Sequence, residues 1–198
     1  MMKTSTDDTR SHLLATAEQI ILHKGFAATG LAEILQTAGV PKGSFYHYFR
    51  SKEGFGVAML ERYFADYQAR LAQQLSPAQG NVRAALLQYF GGWITHQQCQ
   101  AGGCLALKLG AEVADLSSAM RTTLAQGTQA IEALLGEAIA RGQHSGELVA
   151  SQPPSQLAST LYSLWMGSAL LGKIQQSSAP LERALQQTEW LLPAGPAQ

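Results

Sequence analysis

At 198 residues and 21.2 kDa the chain is long enough to bury a sizeable core in one large domain or two small ones. Apolar residues make up 46% and charged residues 14%, which excludes disorder and a polyelectrolyte tail; 14 Lys+Arg against 14 Asp+Glu excludes a globally basic protein but leaves a local basic face open. With 30 Ala and 27 Leu against 7 Ile and 5 Val, the composition predicts an all-α fold.

Leu13, Leu14, Ala17, Ile20 and Ile21 recur at the spacing of a helix with one buried face, and Gly25 ends it. Leu31, Ile34 and Leu35 mark a second, short helix that closes near Ala38-Gly39-Val40, after which Pro41 stands where a new helix can begin without losing a hydrogen bond. Two short helices joined by about three residues are a helix-turn-helix. Ser51 caps a fourth helix that runs to about Leu75, and Ser76 to Gly80 breaks it. Further helices are predicted at about 81–97, 103–114, 117–141, 155–176 and 181–192. The expected organisation is a helix-turn-helix domain over 1–53 and a second, larger all-helical body over 54–198, joined rigidly because the boundary falls inside the fourth helix.

The residues richest in chemistry run from Gly39 to Lys52. Phe45 and Phe49, spaced i and i+4, are expected to lock the short third helix onto the first two and leave Lys42, Ser44, Tyr46 and His47 outward. These side chains supply hydrogen bonds and cationic reach to phosphates and base edges, and Gly43 permits close approach. Tyr48 joins the same candidate surface, and Lys52 at the next helix start is placed to meet a phosphate.

Two cysteines, Cys99 and Cys104, are too few for a disulfide framework, and no apolar segment follows the polar start from Met1 to Arg10, so a reducing cytoplasm is expected. The stretch Leu161 to Leu171 falls well short of the ~20 residues that span a bilayer. Cys99, Cys104 and His96 do not have a closed zinc spacing, and neither a metal nor another cofactor is expected. A cysteine-dependent hydrolase with Cys104 as nucleophile and His96 as base is the rival reading; it lacks a visible strand or oxyanion-forming turn. Trp93, Tyr89, Tyr162, Trp165 and Met166 can line a ligand pocket or fill a core.

The segment from Thr9 to about Leu60 resembles the DNA-binding domain of the TetR/AcrR family of bacterial transcriptional repressors. The resemblance rests on Gly25-Phe26, Thr29, Ile34, Ala38-Gly39-Val40, Lys42-Gly43-Ser44-Phe45-Tyr46, Phe49 and Ser51-Lys52. Gly30 departs from it, because the family usually has a Ser or Thr cap there. The remainder is similar to an electrophile-responsive branch of that family in Gly103-Cys104-Leu105, Lys108-Leu109, Ala111-Glu112-Val113, Asp115-Leu116-Ser117 and Leu164-Trp165 through Lys173-Ile174.

The resemblance implies a homodimer on double-stranded operator DNA, paired through the last two helices, with apolar contact from Leu157, Leu161, Leu164, Leu181, Leu185 and Trp190. It also implies that an electrophile, oxidant or apolar ligand releases the DNA, with Cys104 as the modified residue and Lys173 beside it. Lys173 stands in an apolar stretch, so an inward-pointing ammonium would need a partner such as a thiolate. Trp93, Tyr162 and Trp165 complete the expected sensing set.

Overall fold

The computed structural model describes the backbone of residues 6–99 and 105–196 and the side chains of 8–78, 80–95 and 105–196. Its helices are α1 (Thr6–Lys24), α2 (Leu31–Ala38), α3 (Lys42–Phe49), α4 (Lys52–Gln74), α5 (Val82–Cys99), α6 (Leu105–Val113), α7 (Ser118–His144), α8 (Pro154–Gln175) and α9 (Ala179–Leu191), with one 3-10 turn at Pro77–Gln79. The all-α expectation holds, and no named strand occurs among the described residues. Packing divides the chain into two compact units: Met1–Ala65 with Gly102–Gly127, and Asp66–Ala101 with Thr128–Gln198. In this division α6 and the start of α7 group with the N-terminal helices.

In the first unit, α1 buries Leu13, Leu14, Ala17 and Ile21, the stripe its sequence announced. Gly25 leaves α1 at φ +92, a left-handed conformation that a side chain resists, and Thr29 ties the turn by donating to the Gly25 carbonyl at 2.6 Å. Helix α2 starts at Gly30 with no side-chain cap, as the missing hydroxyl requires, and closes with Gly39 at φ +64. Phe45, Phe49 and Phe55 pack ring against ring, with centroids 4.9–5.3 Å apart, and fix α3 against the start of α4. Only Arg50 and Ser51 separate these two helices. Arg50 takes φ +58, the Ser51 amide reaches the Phe49 carbonyl at 2.6 Å, and the Ser51 hydroxyl accepts from the Gly54 amide at 3.0 Å, the predicted cap.

In the second unit, Trp165 is fully buried on α8, stacked on Phe90 of α5 with centroids 5.2 Å apart. Leu157, Leu161, Leu181 and Ala184 fill the space between α8 and α9. Asn81 caps α5 by accepting from the Ala84 amide at 2.9 Å, and Glu147 accepts from the Val82 amide at 2.6 Å.

Candidate nucleic-acid interface

Helix α3 presents two unlike sides. Phe45 and Phe49 are buried, while Lys42, Gly43, Tyr46 and His47 are exposed and Ser44 and Tyr48 half-buried, so six of the seven predicted DNA-contacting residues share one short helix. A Cβ added at Gly43 would meet nothing within 4 Å, so nothing in the chain's own packing requires a glycine there. Tyr46 keeps 47% of its surface exposed, and the Lys42 ammonium lies 5.9 Å from its ring centre.

The seventh residue, Lys52, is less free than its sequence position suggests. Its ammonium sits 4.9 Å from the centre of the Phe26 ring and donates to the Ala27 carbonyl at 3.4 Å, so it ties the start of α4 to the α1–α2 turn. Two cations that sequence reasoning passed over flank α3: Arg10, its guanidinium 5.5 Å from the centre of the Phe49 ring, and exposed Arg50 in the turn after the helix. The signal for Arg50 was its adjacency to Ser51-Lys52.

The expected sensing residues divide. Trp93, Tyr162 and Trp165 do come together, with the Trp93 ring 6.3 Å from Tyr162 and 6.0 Å from Trp165. Trp165, however, is spent on the core: it has no exposed surface, and its indole donates to Thr188 at 2.8 Å. Trp93 stays half-exposed at the cluster's edge. Beside it the hydroxyls of Tyr67 and Tyr89 lie 2.7 Å apart, and burial, with Tyr67 as a second cause, holds the Tyr89 phenol well above its ordinary range.

The condition set for Lys173, an ammonium that points inward, is not what its own chain shows. It is exposed on the last turn of α8, eight residues beyond Trp165 and so about 12 Å along the helix from the aromatic cluster. The neighbouring Leu170, Leu171 and Ile174 are 43%, 47% and 67% exposed, which means this apolar stretch does not serve the chain's own core. Three of the expected dimer contacts are corrected for the converse reason: Leu157, Leu161 and Leu181 are buried inside their own chain, whereas Leu164 and Leu185 are half-exposed and Trp190 is 75% exposed. Cys104, and the side chains of Cys99 and His96, lie outside the described residues. Among the described residues no group of His, Cys, Asp and Glu is arranged to hold a metal, and no helix is long and apolar enough to cross a membrane.

Residues 13–59 match the model of bacterial regulatory proteins of the tetR family, and residues 80–188 match that of the tetracyclin repressor-like C-terminal domain. The chain belongs to the TetR family. It is 50% identical over 188 residues to the HTH-type transcriptional repressor NemR of Escherichia coli (strain K12), an alignment that covers 93% of this chain and 94% of that protein. The HTH-type transcriptional repressor DhaR of a Mycobacterium species (strain GP1) is 32% identical over 176 residues, covering 89% of this chain and 88% of that one. Among solved structures, the reduced form of E. coli NemR superposes with a TM-score of 0.90 at 48% identity, over 96% of this chain and all of the other. This TetR-family protein is therefore a helix-turn-helix transcriptional repressor, and the cysteine-hydrolase reading gives way to it.

Proposed function

We propose that this repressor acts as a cytoplasmic homodimer on a near-palindromic operator and leaves the DNA when an electrophile or oxidant modifies Cys104. The observation that carries the reading is 50% identity over nearly the whole chain to NemR, a repressor whose crystal structure is described as that of a reduced form. Two further features support it. Leu170, Leu171, Ile174 and Trp190 form apolar surface on α8 and α9 that a second copy would cover, and a two-fold dimer places two α3 helices in successive major grooves of a symmetric site. Cys104 directly precedes α6 in the sequence, and a thiol near a helix start is activated by the positive end of the helix dipole. Lys173, exposed on α8, keeps its proposed part as a cation that favours the thiolate. Alkylation or oxidation then adds bulk or removes charge, and it releases DNA by favouring the state in which the recognition helices are misplaced.

The test is operator release by N-ethylmaleimide or hypochlorite in the wild type, Cys99→Ser and Cys104→Ser, using DNA that the purified protein enriches from fragmented genome. The wild type and Cys99→Ser should let go, and Cys104→Ser should stay bound. A Cys104→Ser protein released as fully as the wild type would replace this reading with a reversible ligand at the Trp93 and Tyr162 edge of the aromatic cluster.

A further inference from the structure

Helix α6 holds the helix-turn-helix by its backbone. Lys108 donates to the carbonyls of Leu22 and, at 2.8 Å, His23 in the last turn of α1; Glu112, one turn further along α6, accepts the amides of Phe26 at 2.9 Å and Ala27 at 2.6 Å. Gly25 lies between these two grips, and a Cβ there would come within 2.8 Å of a Glu112 carboxylate oxygen. The chemistry is matched: the end of a helix offers unpaired carbonyls to an ammonium that has only donors, and the chain leaving it offers free amides to a carboxylate that has only acceptors. A lysine and a glutamate four residues apart on a helix can pair with each other; here both also reach backbone 85 or 86 residues earlier in the chain.

Because all four bonds go to backbone, no side-chain rotation in the turn can relieve a shift of α6. A shift that keeps these four bonds is passed to the α1–α2 turn itself, and through α2 to α3. The motif does not need this grip to close its own core, since Phe45, Phe49 and Phe55 belong to α3 and α4. A second tie acts just beyond the C-terminal end of α6, in the turn before α7, where the Ser117 hydroxyl donates to Glu53 in the first turn of α4 at 2.6 Å.

We propose that Lys108 and Glu112 are positioning residues that couple α6 to the orientation of the recognition helix. The proposal rests on the reading above, in which the effector acts at the residue preceding α6. Coupling is reciprocal, so operator DNA must in turn alter the stability of α6, and this can be read without any inducer.

The experiment is hydrogen exchange of the α6 amides in the full chain, with and without enriched operator DNA. It compares the wild type, Lys108→Arg, the milder Glu112→Gln and the double variant Lys108→Met/Glu112→Gln. DNA should slow α6 exchange by about fivefold or more in the wild type and Lys108→Arg, and by under about twofold in the double variant, which still binds the operator. Glu112→Gln should fall between them and decides the matter if the double variant does not fold. Equal responses in the wild type and the glutamine variant, or no response in the wild type, would overturn the proposal. So would a folded double variant that has lost the operator, because the two residues would then shape the DNA-binding state instead of reporting to it. A parallel N-ethylmaleimide titration separates the two readings: a wild type that keeps its DNA loses the Cys104 reading and leaves the exchange result standing.

Discussion

The indole N–H of Trp165 donates to the hydroxyl of Thr188 at 2.8 Å, and neither side chain has any exposed surface. Thr188 in turn donates to the Ala184 carbonyl at 2.7 Å, so one hydroxyl satisfies the largest buried side chain of its unit and anchors α8 to α9. Thr188→Val keeps the shape and leaves the indole without an acceptor, which should cost about 1–3 kcal/mol in urea unfolding. Thr188→Ser should recover most of that loss. A valine variant as stable as the wild type would show that the indole has another acceptor within reach.

The raised phenol of Tyr89 fixes the sign of an alkaline effect. The folded state holds this proton more tightly than the unfolded chain, whose tyrosines titrate near pH 10, so the contribution is fully present below that pH. It is lost as pH rises from there toward the higher folded value. Unfolding measured at pH 8 and pH 10.5 should show a smaller alkaline loss in Tyr89→Phe than in the wild type. An equal loss in both would place the titrating groups elsewhere.

Lys42 is exposed at the first position of α3, so Lys42→Ala should weaken binding to every DNA sequence and lower the salt slope by about one unit, the value for one neutralised phosphate. Lys52→Ala should lower the slope similarly and also loosen the contact with the Phe26 ring, which a thermal melt of the DNA-free protein can detect. An unchanged slope for Lys42→Ala would remove the start of α3 from the phosphate backbone.

Ile174→Asp or Trp190→Asp should yield monomers in sedimentation and weaken operator binding in the same variant, because each puts a charge on apolar surface assigned to the partner copy. Helix content should survive, since both side chains are outside their own chain's core. Leu161→Asp is the contrast: fully buried within the chain, it should unfold the second unit instead of dissociating a dimer. Tight operator binding by an Ile174→Asp monomer would remove the two-fold reading.

The helix-turn-helix was legible because its signals are local. The i, i+4 phenylalanines, the Ser51 cap and Gly39 each act within a few residues, and each appears where its spacing required. The α8 and α9 helices were legible as elements, but not in their facing. Leu157, Leu161 and Leu181 and the outward Leu171, Ile174 and Trp190 are all apolar residues at helical spacing, and periodicity does not say whether an apolar side meets its own chain or a second one. Trp165 carried the same ambiguity between pocket and core, and its bond to Thr188, 23 residues away, decides it. Lys108 and Glu112 entered the sequence reading only as part of the resemblance, and their contacts were not legible because the spacing reads as a surface ion pair, while their partners are amides and carbonyls that any sequence would supply.

The two-residue turn between α3 and α4 carries a thermodynamic consequence. With Arg50 held at φ +58, Ser51 bonded on both sides, and three phenylalanine rings clamping the helices, the ordering entropy of the recognition helix is already spent when the chain folds. Operator binding should then show the heat-capacity change of a docking surface, without the larger decrement that accompanies folding on contact. Selectivity sharpens for the same cause. A helix that does not refold to accommodate a poor half-site leaves each wrong base pair to exact its full toll of about 1–3 kcal/mol, so discrimination between sites should sharpen with the stiffness of the turn that follows the helix.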